Sequence, residues 1–228
     1  MLKAAIPSDV TLIAVSKTFE EEDVLAAYNA GQRDFGENKV QELLKKSEAL
    51  SYLTDIRWHF IGHLQSNKVN QLLGVQNLYM VHTVDREKIA RMLNHRLAES
   101  GRELKVLIQV NTSREESKYG CSPKQTEGLA SFITGMPHLH LVGFMTIGKL
   151  GGTTREVGQC FSELKSVADQ IKENFKEQLL RNSWGVQHLS MGMTSDYREA
   201  IEEGSTMIRI GQAIFGKRRT PDSEYWPE

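Results

Sequence analysis

Short apolar runs and longer helix-patterned segments take turns along almost the whole chain, and this alternation constrains the fold more than any other feature. The runs that read as strands are Thr11–Ser16, Asp34–Phe35, Trp58–Ile61, Leu78–Val81, Lys105–Val110, Leu139–Met145, Gln187–Ser190 and Met207–Ile210. They are short and mostly rich in β-branched or aromatic residues, as strands are. Between them lie segments with helical spacing: Glu20 to about Ala30, closed by Gly31, and a Lys-, Glu- and Leu-rich stretch after Asn38. Asp85–Ser100 follows, ended by Gly101, then a helix opened by Ser122-Pro123, a long one from about Glu156 to Leu180, and Ser195–Glu203. Pro inside the start and Gly just past the end are the expected boundary signals. Strands joined by helices run parallel, because each helix returns the chain to the starting edge of the sheet. The pattern predicts a single (β/α)₈ barrel domain over residues 1–228. A doubly wound open sheet is the alternative, since periodicity cannot show that the eighth strand returns to the first.

Composition excludes several classes of function. With 228 residues, a formal charge of -1 and a pI near 6.7, the chain has no basic excess to favour nucleic acid or a membrane surface. Cys121 and Cys160 are the only cysteines, too few and too far apart for a disulfide framework, which fits a reducing compartment. Pro7 and Asp9 interrupt the apolar start, so it reads poorly as a signal peptide, and no apolar run approaches the ~20 residues of a membrane helix. A soluble cytoplasmic protein is expected.

Three features carry candidate chemistry. Alternation along the first strand puts Thr11, Ile13, Val15 and Lys17 on one face. A lysine extending an apolar face at the carboxyl end of a barrel strand points into the mouth, where barrels place their sites. Desolvation there would leave a nucleophilic amine suited to a Schiff base; the other reading is a lysine that caps the strand and reaches solvent. Glycine-bearing turns follow the seventh and eighth strands, at Leu189–Ser195 and Gly211–Gly216. Loops at these places often bind phosphate through backbone N–H groups, and Ser190 could add a hydroxyl; otherwise the glycines only make tight turns. Arg209 lies inside Met207-Ile208-Arg209-Ile210 and must find either an interior carboxylate or a ligand atom.

Other polar residues point less sharply to a site. His138 and His140 share a strand face but lie at the wrong end of the barrel and lack a third ligand nearby. His59, His82 and His188 read as core or supporting histidines, and neither cysteine has a basic context that would make it reactive. The Lys/Glu runs at 39–48 and 172–178 read as solvated helix faces.

The blocks AVSKT (Ala14–Thr18), FGENKVQE (Phe35–Glu42), HFIGHLQSNK (His59–Lys68), VHTVD (Val81–Asp85), LIQVN (Leu107–Asn111) and GFMTI (Gly143–Ile147) occur in order. LSMGMTSDYREAI (Leu189–Ile201) and GSTMIRIGQAIFG (Gly204–Gly216) complete the set. Together they resemble the pyridoxal phosphate homeostasis protein family over nearly the whole chain. The resemblance implies a monomeric barrel similar to the N-terminal domain of alanine racemase, with pyridoxal 5′-phosphate held as an aldimine on Lys17. It implies a phosphate held by Ser190, Met191, Gly211 and Gln212, a pyridine nitrogen facing Arg209, and Asn38 near the ring. An arginine there would keep the nitrogen unprotonated and the ring a poor electron sink. Two departures from the family stand out. Its members usually carry an extra helix before the first strand, so either one barrel end is expected to be less covered or the start given for the chain is late, and His63 replaces a frequent proline.

The implied function is reversible cofactor binding and homeostasis, with PLP-dependent apo-enzymes as possible recipients, rather than catalysis. The alternative is an amino-acid racemase. That reaction needs an opposing base from a further domain, and the twelve residues after Gly216 are too few to build one. A phosphosugar aldolase fits less well, because its Schiff-base lysine is expected late in the barrel, not on the first strand.

Overall fold

The computed structural model describes residues 5–177 and 185–217. Its strands are β1 (Thr11–Val15), β2 (Asp34–Glu37), β3 (Arg57–Phe60), β4 (Leu78–Val84), β5 (Leu104–Gln109), β6 (Leu139–Met145), β7 (His188–Ser190) and β8 (Met207–Ile210). All pair in parallel, in chain order, and close into a barrel. The closing pair decides against the open sheet: Thr11 lies opposite Met207 and Ala14 opposite Ile210.

The helices are α1 (Glu21–Asn29), α2 (Val40–Ala49), α3 (Val69–Leu73), α4 (Glu87–Ser100), α5 (Pro123–Thr134), α6 (Thr154–Asn174), α7 (Tyr197–Glu202) and α8 (Gln212–Phe215). Their ends follow local chemistry. Ser122 and Gln125 form a reciprocal cap on α5 with Pro123 in its first turn, and Thr153 with Glu156 does the same for α6. Gly101 ends α4 at φ +62, a conformation that costs glycine little. Among the described residues no helix is long and apolar enough to cross a membrane.

Two strands run further than their apolar patterns predict. β2 continues through Gly36 and Glu37, because a side chain at Gly36 would meet Ile13 Cγ2 at 2.9 Å while hydrogen alone fits. β4 continues through His82, Thr83 and Val84, all buried. α6 ends at Asn174, earlier than Leu180; residues 178–180 lie outside the described residues.

The core has two compartments. Phe35, Trp58, Phe60, Phe144, Phe161 and Leu164 belong to the large apolar layer between strands and helices. Inside the barrel a smaller cluster of Ile13, Met80, Leu107, Val142, Met145 and Met207 shares space with polar side chains. These interior residues form the floor on which the site rests.

Candidate functional site

Lys17 stands on the interior face that Ile13 and Val15 begin, two residues beyond the end of β1, and is half-buried. Its turn is unusual. Thr18 has φ +69, a left-handed conformation costly for a β-branched residue. The turn is held by Phe19 N–H donating to the Ser16 carbonyl at 3.1 Å and by Thr18 N–H donating to Glu42 Oε2 at 3.2 Å. Beneath it Lys46 Nζ donates to the Ser16 carbonyl at 2.8 Å and to Glu37 Oε1 at 2.6 Å, and Ser16 Oγ donates to the same carboxylate oxygen at 2.7 Å. Burial pushes the Glu37 carboxyl up to about 7, against the pull of Lys46 and Ser16.

This cluster corrects one reading of the sequence. The run 39–48 is not wholly a solvated face, for Lys46 is only 3% exposed and turns inward to brace the Lys17 turn. The signal available was Val40, Leu43 and Ser47, the buried stripe of α2, to which Lys46 is adjacent. The run from 172 stays exposed over most of its described part.

Lys17 lines a cavity of about 770 Å³ at the carboxyl ends of the strands, together with Asn38, Arg209, Gly211 and Gln212. Phe19 forms part of the wall, its ring against Phe215 at 5.1 Å. Asn38 is kept at the rim by a close backbone approach: a side chain at Gly62 would collide with the Asn38 carbonyl at 2.0 Å. On the other side His63 and Tyr119 stack at 3.7 Å and line the same space.

Ser190 and Met191 are fully buried and do not line the cavity. Met191 N–H donates to the Met207 carbonyl, and Ser190 Oγ lies between His82 and Arg209 at 2.9 and 2.8 Å. Met193, Thr194 and Ser195, the continuation of the same turn, reach the cavity instead. Among the described residues the backbone N–H groups of Thr194, Ser195, Gly211 and Gln212 have no protein acceptor. Four donors lining one cavity suit an anionic group with several oxygens.

Arg209 is 5% exposed and makes no ion pair among the described residues. Its Nη1 donates to Ser190 Oγ and its Nη2 to the Thr146 carbonyl at 2.9 Å. Burial lowers its pKa to about 10, opposed by the charge of Asp196, so it stays cationic at neutral pH. The interior carboxylate considered from the sequence is therefore not its partner. Gln109 Oε1, buried at the cavity, has no hydrogen-bond partner among the described residues.

The remaining candidates lie elsewhere. His140 pairs with Glu103 at 2.7 Å, and His138 Nδ1 donates to the Arg102 carbonyl at 3.0 Å. No group of three or more potential metal ligands occurs among the described residues. Cys121 and Cys160 are buried and unbonded to each other, and burial raises the Cys121 thiol.

Comparison with known proteins bears on the family and the fold. Residues 1–219 match the family described as alanine racemase, N-terminal domain. The pyridoxal phosphate homeostasis protein of Homo sapiens is 43% identical over 225 residues, covering 92% of this chain and 79% of the relative. The structure of PipY from Synechococcus elongatus PCC7942 without PLP superposes with a TM-score of 0.87 at 35% identity, covering 94% of this chain and 96% of that one. The same protein with PLP bound gives 0.84 at 34% identity and the same coverage. An alanine racemase of Clostridium difficile 630 shares the fold at a TM-score of 0.73 and 11% identity, covering 97% of this chain and 55% of that one.

Proposed function

Since the chain belongs to the pyridoxal phosphate homeostasis proteins, within the alanine racemase N-terminal domain family, we propose that it binds pyridoxal 5′-phosphate in the Lys17 cavity and serves intracellular vitamin B6 and amino-acid homeostasis. The observation that carries this reading is the meeting of three chemistries in one cavity: an amine on a braced turn, a buried cationic donor, and a group of unengaged N–H donors. These residues fit the cofactor. Lys17 would supply the amine to which the cofactor's aldehyde could be joined. Thr194, Ser195, Gly211 and Gln212 hold the phosphate with backbone N–H groups, as loops after the last two strands of such barrels do. Ser190 and Met191 support that loop from beneath, and Asn38 borders the ring.

When bound, the cofactor supplies an aldehyde that condenses reversibly with amines. Arg209, cationic at neutral pH, would donate to the pyridine nitrogen, which would leave that nitrogen unprotonated and the ring a poor electron sink. Storage and release, with PLP-dependent apo-enzymes as recipients, suit such a site better than racemisation. The protein is proposed to act as a one-domain cytoplasmic monomer.

The test is an absorption spectrum of cofactor-loaded protein before and after borohydride reduction, with the modified peptide located by mass spectrometry. The label is expected on Lys17, and Lys17→Ala is expected to lose it while keeping its fold. A label at full occupancy elsewhere would overturn the assignment. Alanine turnover at or above about 1 s⁻¹ by chiral chromatography, lost in Lys17→Ala, would replace the carrier reading with an enzymatic one.

A further inference from the structure

A line of hydrogen bonds crosses the inside of the barrel from one end to the other. It begins at Asp34, at the amino end of β2, where the exposed Arg57 donates from outside the line, Nε and Nη2 to Asp34 Oδ1 and Oδ2 at 2.8 and 2.5 Å. Asp34 Oδ1 meets His59 Nε2 at 3.0 Å, His59 Nδ1 meets His82 Nε2 at 2.9 Å, and His82 Nδ1 meets Ser190 Oγ at 2.9 Å. Ser190 Oγ then meets Arg209 Nη1 at 2.8 Å, at the cavity. His59, His82 and Ser190 are fully buried, so water cannot complete the valence of any of them.

The direction of every proton follows from the two ends. Burial pushes the Asp34 carboxyl up, but hydrogen bonds from His59 and Arg57 outweigh it and hold it below the ordinary range, so it is an anion that only accepts. His59 must therefore carry its proton on Nε2. Burial lowers the pKa of His59, so the ring is neutral at physiological pH and its Nδ1 is a bare acceptor. His82 fills that acceptor from Nε2; it too is kept neutral by burial, and its bare Nδ1 takes the Ser190 hydroxyl proton. With its proton committed, Ser190 presents only lone pairs to Arg209, whose guanidinium can only donate. Each donor has one acceptor, and turning either ring over would set two bare acceptors face to face, at Asp34 or between the two rings.

We propose that Asp34, His59, His82 and Ser190 are positioning residues that fix the guanidinium of Arg209 toward the cavity, with Asp34 as the distant anion on which the chain ends. The chain explains how a buried cation without an ion pair is held: one nitrogen is tied through Ser190 to the far end of the barrel, and another to the Thr146 carbonyl. The remaining guanidinium donors are left to the cavity that Arg209 lines. The proposal rests on the cofactor reading above for what Arg209 faces, but not for its own geometry.

Two measurements separate these. In cofactor-free protein labelled with ¹⁵N-histidine, nitrogen shifts and two-bond couplings report each ring's tautomer. Neutral rings with the proton on Nε2 are expected at both His59 and His82 between pH 7 and 8. A proton on Nδ1 of either ring, or an imidazolium, overturns the chain whatever the cofactor does. The second measurement loads protein with ¹⁵N-pyridine-labelled pyridoxal 5′-phosphate and reads the pyridine shift and the retention after dialysis. Asp34→Ala, which removes the terminal acceptor, is expected to move the shift and to weaken retention about threefold to tenfold. Arg57→Gln, which leaves the chain in place, is expected to stay within about twofold of wild type and to keep its shift. Equal behaviour of the two variants would overturn the positioning role. If wild type takes up no cofactor, the cofactor reading fails, and the tautomers still decide whether the chain exists.

Discussion

The layer between strands and helices and the space inside the barrel are built from the same eight strands yet obey different rules. The outer layer is almost purely apolar, with Trp58 against Phe35 at 5.8 Å and Phe161, Leu164 and Leu93 fully buried. The inside holds a thin apolar cluster threaded by Asp34, His59, His82, Ser190 and Arg209. Alternation along each strand sends neighbouring residues to opposite compartments: Ile208 outward and Arg209 inward, Leu189 outward and Ser190 inward. Burial outside stabilises the fold without specifying much, because apolar contacts have no direction. Burial inside specifies orientation, because each polar group must meet a complementary partner or bear the cost of desolvation. One compartment therefore holds the fold together, and the other holds a site in place.

The sharpest test of that division is a large truncation outside. Trp58→Ala empties a fully buried position and is expected to lower stability by about 3–5 kcal/mol in urea denaturation. The molecules that remain folded should retain cofactor as wild type does. A loss of retention per folded molecule comparable to that of an inside variant would erase the distinction.

The boundary between the two compartments contains a charge pair whose effect is smaller and depends on pH. Glu37 is pushed up to about 7 by burial, above its ordinary value of 4.5. A carboxyl raised on folding contributes stability that is present in full below the unfolded value and is lost as pH rises through the folded one. On going from pH 4.5 to 8 this group should cost on the order of 1–3 kcal/mol. The buried histidines act oppositely, since their lowered values favour the fold as pH rises, so the measured quantity is a difference between profiles. Replacing both charges, Glu37→Gln with Lys46→Met, should remove a downward slope across that window while leaving the histidine contribution. Identical slopes in wild type and the double variant would show that Glu37 is ionised throughout and the pair inert to pH.

The compartments also differ in how legible they are in sequence. The outer layer announces itself through period: β6 and β8 are found at their predicted bounds, because runs such as LHLVGFM and MIRI have few other readings. Lys17 and Arg209 are visible because a charge inside an apolar pattern is conspicuous. What stays hidden is pairing. Nothing local tells that His59 meets His82 or that Asp34, at the head of a short polar-looking strand, accepts from two other residues, since these partners are 23 to 25 positions apart. Lys46 is hidden for the same reason, its acceptor at Ser16 being 30 positions away. In the turn after β7 the sequence marks the right loop, but only the backbone path shows that Thr194 and Ser195 reach the cavity whereas Ser190 and Met191 lie below it.

Gly192 lies where the two compartments meet, and the smallest change considered acts on both. Its φ is +95, open to glycine and strained for any other residue, and its carbonyl accepts from Arg209 N–H at 2.9 Å. A methyl group there would meet Ala200 Cβ at 2.6 Å and the Tyr197 backbone at 3.0 Å, both on α7. Ala200 belongs to the outer layer, whereas Met193, next in the chain, lines the cavity. Gly192→Ala must therefore push α7 outward or the turn inward. Strain and overpacking together are expected to cost about 1–3 kcal/mol of stability, less than the truncation of Trp58. Relief by movement of the turn would displace the N–H groups of Thr194 and Ser195, so retention should fall further than stability alone explains. Dialysis against a competing amine, read beside urea denaturation of the same preparation, separates the two losses. A fall in stability with unchanged retention would mean that α7 gives way and that the turn belongs mechanically to the site.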